Sequence, residues 1–467
     1  MKKPQEFYHN QIDIHTEALQ KTKKRLVVSS SIRLLVFVAI ALAIYFGYPN
    51  TQIIIGSLMI GTVAFIYLVN RHTNLTYTKN KFEKLLQINQ LELDVFNGNI
   101  DDLDPGKEYI DSSHFYSHDI DLFGQQSFFQ YTNRTATPAG KNKLVKILNA
   151  NTTDAIEQKQ KAIQNTAELP EWRQEFSAIA ALADVKVSIA VIRKWLSNYT
   201  FFVPKIMKTL PSIISGISAV MLVLLFTEII TINLILIWYF IGLSITGTQL
   251  KKINQLYSNA NQVKDTFEQY YKLIAKIETA SFHATLLQEK QQLVIHEKEK
   301  ASQVLKQFAN ILNAFDQRNN MLFGVLANGL LLWDIKQCYR IEQWILKNNA
   351  KVTQWFEVIA FFDAYNSLGN FAFNHPTYIY PKIVSNTGTL KATGLGHPML
   401  DPDKRVDNDI IIDKDQFFII TGANMAGKST FLRTVAFQIV MSNVGLPICA
   451  QSCEYRPIKL ISSMRTS

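Results

Sequence analysis

Between Phe417 and Thr430 the chain reads Phe-Phe-Ile-Ile-Thr-Gly-Ala-Asn-Met-Ala-Gly-Lys-Ser-Thr. The spacing of Gly422 from Gly427-Lys428-Ser429 fits the P-loop pattern, which restricts this region to a strand, a glycine turn and a helix. The apolar run Phe417 to Thr421 predicts a buried strand. Phe431, Leu432, Val435, Ala436 and Ile439 recur at helical spacing and predict the helix. Gly422 and Gly427 permit turns that a Cβ would obstruct. In such a turn the successive N–H groups of Ala423, Asn424, Met425 and Ala426 point inward and cradle the β- and γ-phosphates of ATP. The positive end of the following helix faces the same anion. Lys428 adds a mobile point charge on the phosphate oxygens. The Ser429 hydroxyl is placed to ligate Mg²⁺, with Thr430 beside it. The candidate cofactors are therefore ATP and Mg²⁺, and the candidate site is Gly422, Ala423, Asn424, Met425, Ala426, Gly427, Lys428, Ser429 and Thr430.

The residues inside the loop are more specific than the pattern. Thr421-Gly-Ala-Asn424-Met425-Ala-Gly-Lys-Ser-Thr resembles the MutS family of DNA mismatch-repair ATPases, whose loop typically reads TGPNMGGKST. Ala423 stands where the family has Pro, and Ala426 where it has Gly. Gly396-His397-Pro398 lies upstream, like the family's RHP motif. Asn443-Val444-Gly445-Leu446-Pro447-Ile448-Cys449-Ala450 follows the helix, like the family's IGxxVPA. The likeness is strong from about residue 350 to residue 467. It implies an ATP-driven, DNA-binding ATPase that acts as a homodimer with composite sites. Side chains between the HP motif and the P-loop strand flank the adenine in the family, and Arg405 and Val406 occupy that stretch here. His397 is expected to fix a turn rather than to touch nucleotide.

Four apolar runs set the rest of the architecture. Leu34 to Tyr48 and Ile53 to Val69 are separated by Pro49-Asn50-Thr51-Gln52. Leu210 to Phe226 and Ile229 to Ile245 are separated around Glu228. Each run is slightly shorter than the ~20 residues that span a bilayer, and flanking tyrosines and lysines can make up the difference. Neither run of the first pair has a polar face, which argues against a soluble buried hairpin. Basic residues (Lys21, Lys23, Lys24, Arg25; Lys205, Lys208, Lys251, Lys252) lie outside both pairs, and the connecting turns carry none. The positive-inside rule then puts both turns outside and the large segments in the cytoplasm, so the expected location is the cytoplasmic membrane, multi-pass. The run Met321 to Trp333 is short and holds Asn328 and two glycines, and it reads as a buried core helix. The net charge of +10 suits nucleic acid or an anionic membrane face. Cys338, Cys449 and Cys453 form no disulfide framework or metal knuckle, and no metalloenzyme pairing of histidines is present.

Asn133-Arg134-Thr135-Ala136-Thr137-Pro138-Ala139-Gly140, before Leu144 and Leu148, resembles the DRTxTxxG start of the MutS core domain. Ile253, Leu256, Tyr257, Ala260, Val263, Phe267, Tyr270, Ile274 and Ile277 define a long amphipathic helix, and Gln288 to Lys306 a charged one. With the apolar helix Val352 to Phe373 these resemble the family's lever helices. Arg318-Asn319-Asn320 is a weak candidate DNA-gripping tip, read more simply as a polar helix end. The expected fold is mainly α, with two transmembrane helical hairpins, a helical core and lever, and a C-terminal α/β P-loop NTPase domain. The expected boundaries are 1–75 (first hairpin, about 34–48 and 53–69), 76–205 (core), 206–250 (second hairpin, about 210–226 and 229–245), 251–373 (lever) and 374–467 (ATPase).

Two family features have no counterpart. No mismatch-reading domain with its FxE motif fits residues 1–120, and no Asp-Glu pair follows the P-loop before Ser467. The sequence therefore reads as truncated, with ATP binding expected and hydrolysis expected at background, since Mg²⁺ and the attacking water need that acidic pair. Glu454, the nearest carboxylate after the loop, reads as a surface residue. The favoured reading is a membrane-anchored, MutS-like ATP-dependent DNA-binding protein, with DNA and the lipid bilayer as partners. One rival is the ATPase-linked half of a transporter, whose loop usually reads GxSGSGKST. The other is a membrane scaffold with a nucleotide-responsive lever and no DNA role, which salt-dependent DNA binding would exclude.

Overall fold

The computed structural model describes residues 3–182, 187–295, 299–385, 388–413, 416, 418–421, 423 and 427–463. The protein is mostly helical, with a small mixed sheet near its C-terminal end. It opens with two long helices, α1 (Pro4–Gly47) and α2 (Thr51–Phe96), which lie side by side. Short helices follow: α3 (Phe128–Thr132), α4 (Pro138–Asn149), α5 (Ile156–Ala167), α6 (Pro170–Ala180) and α7 (Ile189–Ser197). The pair α8 (Leu210–Phe226) and α9 (Ile232–Gly247) leads into α10 (Leu250–Glu278), α11 (Thr285–Ile295), α12 (Ala301–Asp316), α13 (Met321–Leu331) and α14 (Trp333–Asn374). The remainder is β1 (Lys382–Ile383), β2 (Leu390–Leu395), β3 (Asn408–Ile412), α15 (Lys428–Val444) and β4 (Ser452–Tyr455).

The core forms around α14. From Val352 to Ala372 this helix is apolar on nearly every side, and a helix of that kind must be surrounded by others. α4, α5, α10 and α12 pack on it. The apolar stripe of α10 is buried from Ile253 to Ile277, as its periodicity predicts. Phe267 meets Phe308 edge-on at 4.7 Å between centroids, and Phe308 stacks on Trp344 at 3.8 Å. α4 begins where the sequence signals it. Pro138 occupies the first turn, and the Thr137 hydroxyl accepts from the Gly140 N–H at 3.0 Å.

The foot of the first helix pair is fixed to α14 by a buried polar network. The Glu92 carboxylate accepts from Arg134 Nε (2.7 Å), Asn370 Nδ2 (2.9 Å) and Asn374 Nδ2 (2.8 Å). Tyr8 donates its hydroxyl to Asn374 Oδ1 at 2.7 Å, and Arg173 donates to Asn370 Oδ1 at 2.7 Å. Phe7 and Tyr8 also pack on Leu93, Phe96 and Phe373. The buried charge of Glu92 is thus surrounded by donors, the condition under which a carboxylate is tolerated inside a protein.

The expected membrane spans are matched only in part, and three other expectations need correction. Among the described residues one helix, α1, is both long and apolar enough to cross a membrane, and its apolar stretch is almost unburied. α8 is shorter, and α9 reaches span length only when joined to α10 across a 66° bend. The expected charged helix 288–306 is two helices, α11 and α12, with His296, Glu297 and Lys298 outside the described residues. Met321 to Trp333 is not a core helix. Met321 is 80% exposed and Leu322 77%, because α13 rests on α8 and α9 instead of entering the core. Finally, the strand expected at Phe417–Thr421 is absent over the described residues 418–421, where Ile419 is 75% exposed; Phe417 lies outside them. The sheet runs β1-β4-β2-β3, with β1–β4 parallel and the β4–β2 and β2–β3 pairs antiparallel. None of its described strands pairs with 418–421, and an apolar run without a ladder partner has nothing to hold it extended.

Candidate functional site

Gly427 is the N-cap of α15 and sits at φ 80°, ψ 10°. This left-handed conformation is open to glycine without steric cost. A Cβ built on it would meet nothing within 4 Å among the described residues, so the demand there is conformational. Lys428 opens the helix, and its Nζ donates to the Ala423 carbonyl at 2.6 Å. Ser429 and Thr430 are exposed on the first turn. The N–H groups there have no acceptor inside the helix, and the helix dipole adds positive potential. An open cap, a lysine and two hydroxyls at a positive helix end form a donor set that fits a phosphate with its metal ion. Of the residues expected to build the loop, Gly422, Asn424, Met425 and Ala426 lie outside the described residues.

The rest of α15 is seated firmly. Gln438 Nε2 donates to the Gly396 carbonyl at 2.7 Å. Arg433 pairs with Asp121 at 3.1 Å and donates to the Asp119 carbonyl at 3.1 Å. At the other end Gly445 has φ 91°, and a Cβ there would press on Lys159 Cβ at 2.6 Å and Gln160 N at 2.9 Å. Lys159 Nζ donates to the Asn443 carbonyl at 3.2 Å, a cation at a negative helix end. Tyr455 of β4 donates to Asn443 Oδ1 at 2.8 Å. The loop-bearing helix is therefore oriented by α5 on one side and the sheet on the other.

His397 does fix a turn. Its Nδ1 accepts from the Met399 N–H at 3.3 Å, its carbonyl accepts from Leu400 N–H at 3.3 Å, and its ring meets Phe437 edge-on at 5.3 Å. Burial, reinforced by the Arg433 charge, pulls its pKa down to about 4, so the ring is neutral near pH 7. Arg405 is engaged by Asp407 at 2.8 Å, and Val406 is exposed on the same turn. Glu454 lies on β4 and pairs with Lys382 at 3.3 Å, a surface ion pair rather than a base. Arg318 pairs with Asp334 at 3.0 Å and donates to Asn254 at 2.8 Å. That makes its segment a braced helix end.

Sequence reasoning missed Asp363. Its carboxylate, wholly buried in α14, accepts from Ala136 N–H (3.0 Å), Thr137 N–H (2.8 Å) and the Thr137 hydroxyl (2.6 Å). A Cβ on Gly140 would collide with it, so Gly140 is the residue that lets the turn close over the carboxylate. The available signal was a lone acid in the apolar run Val358 to Ala364.

Residues 418–465 match the family description MutS domain V. The chain is 32% identical over 124 residues to the DNA mismatch repair protein MutS of Syntrophomonas wolfei subsp. wolfei, a stretch covering 25% of this chain and 14% of that protein. It is 39% identical over 80 residues to the DNA mismatch repair protein MSH6 of Arabidopsis thaliana (15% and 6%). It is 32% identical over 133 residues to the endonuclease MutS2 of Geobacillus thermodenitrificans (27% and 17%). Each match thus spans less than a fifth of the relative's length. Together they support a MutS-family protein.

Proposed function

We propose that this chain is a membrane-anchored MutS-type protein that binds Mg²⁺-ATP through Gly422–Thr430 and acts on DNA as a homodimer. The observation that carries the reading is the match over 418–465, which contains Gly427-Lys428-Ser429 at the open start of α15. In that reading Lys428 meets the β/γ-phosphates, Ser429 meets the metal ion, and Arg405 and Val406 lie on the adenine side. Mismatch-repair function at family level is supported by the named relatives. The proposed organisation is a first hairpin within 1–75, a core over 76–205, a second hairpin within 206–250, a lever over 251–373 and an ATPase domain from 374. The exposed apolar stretch of α1 supports the anchoring, and the basic flanks support a cytoplasmic-membrane location with the soluble parts inside.

DNA binding is tested by fluorescence anisotropy with a labelled duplex at rising salt. The expected result is an affinity that falls linearly on a log–log plot, as counterion release requires. Absence of any salt-sensitive binding would favour the scaffold reading. Topology is tested with an impermeant thiol reagent on intact cells. Asn50→Cys and Glu228→Cys are expected to react from outside and Lys107→Cys only after lysis; the opposite pattern would invert the orientation.

A further inference from the structure

The three apolar helices α8, α9 and α13 pack with the reverse of a soluble core's pattern. Apart from Ile214 and Ile235, the groups that face inward are mainly small or polar. A Cβ on Gly242 would run into the Gly329 carbonyl, and one on Gly329 into the Tyr239 ring. Ser218 donates its hydroxyl to the Leu330 carbonyl at 2.7 Å and accepts from Trp238 Nε1 at 2.9 Å. Tyr239 donates to the Val325 carbonyl at 3.3 Å. Large apolar side chains face outward: Val223 on α8, Phe240 on α9, and Leu322, Val325 and Leu326 on α13. Water penalises such a surface. Lipid removes the penalty, and close approach at small residues with hydrogen bonds between helices is how helices associate there.

The ends of α13 fix its level. Arg318 precedes the helix and Asp334 follows it, and the two form an ion pair at 3.0 Å. Arg318 also donates to Asn254 at 2.8 Å, just beyond Lys251 and Lys252 at the foot of the α8–α9 pair. Lys252 Nζ lies 5.7 Å from the Phe202 ring, and Lys205 and Lys208 follow Phe202 by three and six residues in the sequence. The chain therefore leaves and re-enters at one basic level, complementary to anionic headgroups. Eleven residues rise about 16 Å. A straight helix with both ends at one level lies along the layer rather than across it, so α13 occupies the near side of the ~30 Å hydrocarbon.

We propose that α13 is a re-entrant, lipid-embedded helix docked on the α8–α9 hairpin, so that the connection between α12 and α14 is itself seated in the bilayer. The inference rests on the proposed anchoring and extends it from the hairpins to the segment that starts α14. The occupant of the outward face is the acyl-chain region.

The test uses the full chain in phosphatidylcholine–phosphatidylglycerol liposomes, with bimane at Leu326→Cys, Phe240→Cys or Lys107→Cys. The three native cysteines are buried, and protein without an added cysteine provides the background. Lipids carrying doxyl groups on the acyl chain are expected to remove most of the emission at positions 326 and 240 and to leave 107 unchanged. Quenching at 240 without quenching at 326 would overturn the inference and leave the anchoring intact. No quenching at either would overturn both. Emission at 326 that escapes the lipid quencher but depends on protein concentration would assign the face to a second copy, and would likewise overturn it. Gly329→Leu, which wedges the contact with α9, is expected to reduce quenching at 326 and spare 240. Unchanged quenching at 326 in that variant would refute the docking.

Discussion

Replacing Asp363 with alanine is expected to cost about 3–5 kcal/mol of folding stability, the range for breaking a buried charged network. The substitution orphans two backbone N–H groups and the Thr137 hydroxyl inside the core, where α4 begins against α14. Denaturant unfolding of the detergent-solubilised protein measures the loss, and a cost below about 1 kcal/mol would show that the turn closes without this carboxylate. Asp363 also predicts a pH dependence. Burial raises its pKa to about 6, against the lowering effect of its three donors. The folded state thus holds this proton more tightly than the unfolded chain does. The contribution is complete below about pH 4 and is lost as pH rises through about 6, a change of about 3 kcal/mol. Asp363→Asn mimics the protonated carboxyl at every pH, so its stability should lack that component. Identical pH profiles for the two proteins would refute the titration.

Lys428→Ala is expected to weaken Mg²⁺-ATP binding by about 1.5–3 kcal/mol, the scale of a hydrogen bond to a charged group, or about ten- to a hundredfold in Kd. Folding should be unaffected, because Lys428 sits at the open start of α15 while the helix is held by Gln438, Arg433 and Asn443 farther along. Titration with a fluorescent ATP analogue measures the loss, and circular dichroism checks the fold. Unchanged affinity would remove the basis for the nucleotide site.

The helices that carry their own instructions were legible. Thr137-Pro138 announces α4, the stripe from Ile253 to Ile277 announces α10, and Gly427 and Gly445 bracket α15. Each depends on near neighbours in sequence, so a linear reading finds it. Elements whose state depends on distant partners were not legible. The run from Met321 is apolar whether it enters a core or lies on another apolar pair, and only the approach of Gly242 to Gly329 decides. Phe417–Thr421 reads as a strand, yet a strand exists only beside another, and none of the described strands pairs with the described residues 418–421. The same holds for the candidate site. The chemistry of Lys428 and Ser429 follows from type and spacing, whereas the clamp of Asp363 on Thr137 joins positions 226 apart in sequence.

The helix α14 runs without a break through 42 residues, about 63 Å. A rod of that length converts angle into distance. One degree of tilt about Trp333 carries Asn374 through an arc of about 1 Å. Asn374 holds Tyr8 at 2.7 Å and Glu92 at 2.8 Å, and hydrogen bonds of that kind weaken beyond about 3.2 Å. A rotation of a degree or two about the Trp333 end would therefore be enough to break these bonds, and the packing of α4, α5, α10 and α12 along the rod is what holds it against that lever arm.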